Sequence, residues 1–478
     1  QPLFGSGPGT FAFDYSKFRP QALNQTIFWG TRFTSGASEV LDVAATKGVL
    51  GFLALVSMVG AALFLGLKSL VRTAPDTNSW LMGLGFFASF AALAVSMLMY
   101  PFGNSLWFYF FLLLGALGVF IGKEPKTISI APPSFLAVVS SFVFLIVLIF
   151  GLGVLFIGGQ KYAAEVFYLQ GVRASQQGDQ DKAISSLLRA VKLNPSVDVY
   201  WRDLGQLYLS QANSISADTK LAQDEKTTKL QTVITNTTSS VQQATRIAPA
   251  NVANWNVQGF VYRSLIGFAG AEGFAIASYE KAVELEPASP FNVTELGRVY
   301  VLQAQNLANQ KGKEKERDEA LSKAQEKLTM AIELKNDYAP AHFLFAVIYD
   351  QQGKTEEAIK KLEEVKNADP NNSGLAFQLG VVYWQKQRYE KAQEEFERAL
   401  KLNANYANAR YMLGLVYDKQ GQKGKATEEF TKLEETNPDN KEVRTILANL
   451  KAGKPALEGI TLDQPPLQET PPEIQPSK

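Results

Sequence analysis

The chain contains no cysteine. That excludes disulfide frameworks, thiol catalysis and cysteine-bound zinc. It has a single histidine, His342, among 478 residues. A histidine metal cage or a Ser–His triad contained within the chain is therefore not expected. A bias of charge is missing as well, since 47 Lys and Arg face 46 Asp and Glu for a net +1. Without a basic surplus there is no footprint of nucleic-acid binding. No metal, cofactor or nucleic-acid partner is expected. An initiator methionine and a signal peptide are also lacking, and the chain reads as the C-terminal part of a longer protein.

The mean hydropathy of −0.05 averages two unlike halves. Residues 48–158 are almost uncharged, while 160–478 are rich in Lys, Glu, Gln and Asn. The first half holds four apolar runs: Gly48–Leu67, Trp80–Tyr100, Leu106–Ile121 and Phe135–Gly158. Each is near the length needed to cross a bilayer. None has an ionisable side chain at its middle, which argues against an ion or proton path. Gly115, Gly118 and Gly122 are spaced for close helix packing. Lys68 and Arg72 follow the first run, and Lys123 and Lys126 the third. The turn Pro101–Ser105 carries no charge. The positive-inside rule puts the basic turns in the cytoplasm and both flanking segments outside it.

The second half repeats one pattern. Ala376, Leu379, Gly380, Tyr383, Ala392, Phe396 and Ala399 are followed, one period on, by Leu413, Gly414, Tyr417, Ala426 and Phe430. The spacing resembles the tetratricopeptide repeat (TPR), a helix–turn–helix of about 34 residues. Earlier copies place Gly171, Gly205, Gly259, Gly297 and Ala346 at the same point, which makes seven repeats. Insertions fall near 210–235 and 305–322, the second with a helix-extending charge run, Lys311–Arg317. Asn440–Lys451 reads as a capping helix, because the last repeat would otherwise expose an apolar face. The expected fold is all-α: four transmembrane helices followed by a TPR α-solenoid of about seven repeats and a capping helix. The expected domains are a loop (1–47), four spans (48–158), the solenoid (160–452) and a disordered, proline-rich tail (453–478). Places that face inward in such repeats are Phe343, Asp350, Phe377, Trp384, Tyr411 and Asp418. They form a groove for an extended peptide or a glycan, or they cover neighbouring helices. His342 takes a packing position.

The loop opens with Gly5-Ser-Gly-Pro-Gly-Thr-Phe11. Its glycines permit positive φ and close approach, either as a plain turn or toward phosphate. No Gly-Lys-Ser/Thr follows, so it is not a P-loop. Arg19 and Arg32 lie among aromatics, a setting for gripping phosphate or for anchoring at headgroup level. The run from Phe4 to Phe11, through Arg19-Pro20, Arg32-Phe33 and Leu41, to Ala44-Ala-Thr-Lys-Gly-Val-Leu-Gly51 resembles the O-antigen ligase/polymerase family. These are membrane glycosyltransferases acting on glycans linked to undecaprenyl pyrophosphate. The resemblance implies that Arg19 and Arg32 hold pyrophosphate. The family's histidine is replaced here by Ala37-Ser-Glu39, which leaves Glu39 as a base or as an ordinary loop carboxylate. It implies membrane lipid and a lipid-linked glycan as partners, beside a protein or peptide in the groove. The expected location is the bacterial cell membrane, multi-pass, with the repeats extracytoplasmic. Two functions fit: a glycan ligase or polymerase, and a non-catalytic TPR scaffold of an envelope complex.

Overall fold

The computed structural model describes residues 2–72, 77–122, 135–218, 221–268, 270–308, 310–368, 370–437 and 440–460. Among them the chain is all-helical, with no β-strand. Helix α1 (Phe11–Phe18) and a 3-10 turn (Gln21–Gln25) occupy the N-terminal loop. Four apolar helices follow: α2 (Glu39–Arg72), α3 (Thr77–Met99), α4 (Asn104–Ile121) and α5 (Phe135–Gln176). Each is long and apolar enough to cross a membrane. Helices α2, α3 and α4 pack around Phe90, Met97, Phe110 and Leu117. Lys123 and Lys126, expected on a basic turn, lie outside the described residues.

Two of these helices depart from the expected runs. Helix α2 begins nine residues early but is broken at Gly48, whose backbone (φ 65°, ψ −169°) is not helical. Helix α5 continues for 42 residues, so the fourth apolar run and the first helix of the repeats are one element. The boundary drawn near 158–160 falls inside it. No side chain from Val138 to Tyr162 is buried.

Helix α6 (Gln180–Leu193) pairs with the end of α5. Then come α7 (Asp198–Ala217) with α8 (Gln223–Ile247), followed in the chain by α9 (Val252–Ser264) and α10 (Ala271–Leu285). Next are α11 (Pro290–Ala308) with α12 (Glu314–Leu334), and α13 (Ala339–Gln351) with α14 (Thr355–Ala368). Last are α15 (Ser373–Gln385) with α16 (Tyr389–Leu402), α17 (Ala407–Lys419) with α18 (Lys423–Thr436), and the closing α19 (Lys441–Lys451), which packs on α18. Six helical hairpins of the expected kind are thus paired among the described residues.

The recurrent glycines explain the pairing. A Cβ at Gly380 would lie 2.6 Å from Phe396 Cε1, and one at Gly414 2.6 Å from Phe430 Cε2. Each glycine is therefore the point where a large side chain of the second helix enters the first. Helix α16 supplies that face, with Ala392, Phe396 and Ala399 buried at i, i+4 and i+7. The two insertions lengthen helices instead of forming loops. Helices α7, α8, α11 and α12 run 20, 25, 19 and 21 residues, against 13 and 14 for α15 and α16. Glu314–Arg317 of the charge run form the first turn of α12, where acidic side chains suit the positive helix end.

The chain divides into two compact units. One comprises Gln1–Pro20, Thr31–Val261 and Leu285–Pro287; the other Gln21–Gly30, Tyr262–Glu284 and Ala288–Lys478. The N-terminal loop is thus shared, and its stretch Gln21–Gly30 folds with the later repeats. The expected tail is also divided. Residues 453–460 are folded, with Ala456 fully buried, because Leu457 and Ile460 bring apolar surface onto the last repeat's core. Residues 461–478 lie outside the described residues.

Candidate functional site

The N-terminal stretch is stitched into the break of α2. Val49 N donates to Pro2 O at 2.9 Å, and Leu50 N to Leu3 O at 3.1 Å. Those N–H groups start a new helical segment and have no partner within it. Gly7 N donates in turn to Thr46 O at 2.8 Å, on the other side of the break. Gly5 (φ +71°) lies at the crossing, where an added Cβ would be 2.6 Å from Gly48 N. The glycine-rich turn does make a close backbone approach, and what it approaches is helix α2.

Three polar residues of the loop each have their own setting. Arg32 Nε and Nη2 donate to Glu286 Oε1 and Oε2 at 3.2 and 2.5 Å, fork against fork. The Glu286 side chain is 2% exposed and that of Arg32 39%. A carboxylate so buried requires a paired cation. Arg19 is buried at the C-terminal end of α1, and its N–H donates to Tyr15 O at 2.8 Å. Glu39 is buried too. Its Oε2 accepts from Phe102 N at 2.7 Å, and its own N–H donates to Tyr100 O, which holds the turn between α3 and α4.

Within the second unit, Asn24 is fully buried. Its Nδ2 donates to Ala288 O at 2.8 Å and to Leu334 O at 3.1 Å. Gln21 Nε2 donates to Glu333 O at 3.0 Å. Leu334 and Glu333 close α12, where the last carbonyls have no partner in the helix. Trp29 meets Tyr338 edge-on at 5.7 Å, and Lys335 Nζ stands 5.6 Å from the Trp29 ring. Sequence reasoning missed this peg. An asparagine in a polar loop carries no local sign of carbonyls 264 and 310 residues away.

The expected groove is only partly open. Phe343 is half-buried, and the Asp350 side chain lies outside the described residues. Phe377 is half-buried against Tyr406 and Phe396, with ring centroids at 5.1 and 5.8 Å. Trp384 leans on Tyr389 at 5.2 Å. Tyr411 does not line an open surface: it is buried, and its hydroxyl donates to Glu442 of α19 at 2.5 Å. Burial, and then Glu442, push the Tyr411 phenol well above its ordinary pKa. Asp418 Oδ2 accepts from Ala456 N at 2.9 Å. Trp384, Leu415, Asp418 and Lys419, with Pro455 and Leu457, enclose a hollow of about 30 Å³, room for one water.

Other side chains join one repeat to the next. Tyr417 donates to Glu397 at 2.8 Å, and the equivalent tyrosine of the preceding repeat, Tyr383, donates to Glu363. His342 is buried, with Nε2 2.8 Å from Asn336 O. That matches its packing position.

Comparison with known proteins identifies the repeats. The tetratricopeptide repeat family matches residues 164–197, 339–372 and 383–450. This module is a protein-interaction unit, and the chain carries it. A solved tetratricopeptide repeat protein from Parabacteroides merdae is 16% identical, covering 61% of this chain and 99% of that one, with a TM-score of 0.39. A thermophilic TPR protein of Thermus thermophilus is 19% identical over 42% of this chain and 100% of that one, with a TM-score of 0.33. YrrB, a TPR protein with an unusual peptide-binding site, is 18% identical over 42% and 93%, with a TM-score of 0.25. No curated protein matches the chain.

Proposed function

We propose that the chain is a multi-pass bacterial membrane protein of the O-antigen ligase/polymerase type. Its repeats stand outside the cytoplasm and bind a protein or peptide during surface polysaccharide or glycoconjugate assembly. The observation that carries this reading is the seam at Gly5 and Gly48. The two stretches that resemble the family, Phe4–Phe11 and Ala44–Gly51, are about 40 residues apart, yet they cross at Gly5 and Gly48 and are joined by the backbone hydrogen bond from Gly7 N to Thr46 O. The four apolar helices are the membrane part, and their even number puts both flanks on one side.

In this reading Arg19 and Arg32 stabilise a departing pyrophosphate, and Glu39 serves the acceptor hydroxyl. A guanidinium has five N–H donors. Glu286 engages Arg32 through two of its nitrogens, which leaves donors for a phosphate. The Glu39 carboxylate, by contrast, accepts from Phe102 N. That contact favours a second reading, a membrane-anchored scaffold without chemistry.

Glycan transfer separates the two. It is measured in membranes of a strain lacking its own ligase, with the full-length protein supplied. The paired variant Arg32→Ala, Glu286→Ala removes the guanidinium without stranding a buried carboxylate. Transfer by the unmodified protein and loss in the pair supports the ligase reading. No transfer by a correctly inserted protein selects the scaffold. A reporter active only outside the cytoplasm, fused after Lys451, is expected to be active; silence there overturns the orientation.

A further inference from the structure

The inner face of the last repeat is occupied by the chain itself. After α19 the backbone reverses at Gly453 (φ +75°) and residues 454–460 return as a hook. Ala456 of the hook is 0% exposed. Asp418 Oδ2 accepts from Ala456 N at 2.9 Å. Asn449 Nδ2 donates to Ala456 O at 3.1 Å and to Glu458 O at 2.8 Å. Lys423 Nζ donates to Lys454 O at 2.9 Å and to Gly453 O.

All these contacts end on main-chain atoms of the hook. Three side chains from α17, α18 and α19 thus read the course of a backbone, not the identity of its residues. Selectivity is left to two apolar places. Ala456 fits where no accessible surface remains, which limits that place to a small residue. Pro455 and Leu457 flank it and border the hollow beside Trp384 and Leu415.

We propose that this face is a peptide-binding site held shut by a resident ligand. The partner it fits is a protein segment that turns as the hook does and carries a small residue between Pro and Leu. The inference rests on the protein-binding reading of the repeats and adds its partner chemistry and its regulation. The hook is joined to α19 directly, so its effective concentration at the site is on the order of millimolar. A partner segment enters only when the ratio of its concentration to its dissociation constant exceeds the same ratio for the hook. The hook therefore sets a threshold against weak, non-cognate peptides.

The test uses a fluorescent peptide with the hook sequence, Gly-Lys-Pro-Ala-Leu-Glu-Gly-Ile, followed by anisotropy. It is titrated into the whole chain in detergent, into a chain ending at Ala452, and into the whole chain carrying Ala456→Asp. The last variant unseats the hook without removing it. Both opened forms are expected to bind at least tenfold more tightly than the unmodified chain. Binding is expected to fall at least tenfold when Asp418→Ala is added, or when the peptide carries Leu in place of its Ala. Equal binding by all three forms overturns the proposal. So does absence of binding by both opened forms, and so does their failure to fold, which would make the hook an integral part of the core. A photo-crosslinker at Phe343 or Phe377 keeps the two claims apart. A protein trapped there in cells, with no peptide binding at Asp418, sinks the hook alone. Nothing trapped at either position counts against protein binding by the repeats.

Discussion

Gly5 and Gly48 cross backbone to backbone, each with positive φ, and neither has room for a side chain. Gly48 in particular combines φ 65° with ψ −169°, a region essentially reserved for glycine. Gly48→Ala is expected to destabilise the seam by about 1–3 kcal/mol from backbone strain, before any clash is counted. Hydrogen exchange at Val49 and Leu50, whose N–H groups bond Pro2 and Leu3, is the direct measurement. Unchanged protection there would mean that the seam does not depend on the glycine.

Gly380 and Gly424 make a matched pair of glycines in the repeats. Gly380 receives the Phe396 ring, whereas a Cβ at Gly424 meets nothing within 4 Å. Gly380→Leu is expected to lower stability by about 1–3 kcal/mol or more through overpacking. Gly424→Ala is expected to raise it by up to about 1 kcal/mol through helix propensity. Thermal melting of the two variants, followed by far-UV circular dichroism, decides the matter. Equal melting shifts would remove the special role of the recurrent glycine.

Asn24 donates both its buried contacts from one amide nitrogen to two carbonyls. Asn24→Ala leaves those acceptors short of a partner and is expected to destabilise by about 1–3 kcal/mol. Asn24→Asp is expected to be worse, since a carboxylate offers no donor to either carbonyl. Proteolysis within Gln21–Gly30 reports the release. Resistance equal to the unmodified chain would show that the peg is dispensable.

His342 is the only histidine, so its titration is isolated from others. Burial lowers its pKa, and its Nδ1 is buried with no acceptor among the described residues. The unfolded chain therefore takes up the proton more readily than the folded one. Stability is full above the ordinary histidine range and falls as pH drops through it. The melting temperature is expected to decline as the pH is lowered from neutral through that range, and His342→Phe is expected to flatten that decline. An identical slope in the variant would assign the pH dependence to other groups.

The repeats were legible because their signal is periodic. In the last two repeats a glycine and a facing Phe return 34 residues apart, Gly380 with Phe396 and Gly414 with Phe430, and each pair touches within a single helical hairpin. The apolar runs were legible from length alone. The positions of the insertions were readable, and so was helix extension by the charge run of the second, but not that the first would lengthen α7 and α8. What escaped the sequence was every contact made across long separations. Asn24 with Leu334, Arg32 with Glu286 and Asp418 with Ala456 bring together residues that no local pattern links. The hook escaped for a second reason: a stretch with six prolines after Gly453 reads as tail, although its first eight residues hold enough apolar surface to pack. Glu39 was visible as a loop carboxylate, while its bond to Phe102 N was not.

Helix α5 has no joint along its 42 residues. It spans roughly 63 Å at 1.5 Å per residue. Its bare apolar length and its buried Ala164, packed in the first repeat, are therefore two stations on a single rod. Such a rod carries torsion as well as position, so a roll of the apolar end about its own axis turns the first repeat by the same angle. Because successive residues advance by about 100°, one residue inserted near Gly158 would re-phase that repeat by more than a quarter turn. Seven inserted residues would nearly restore its azimuth and move it about 10 Å along the axis. The spacing between Phe135 and Ala164 is thus an angular setting as much as a distance.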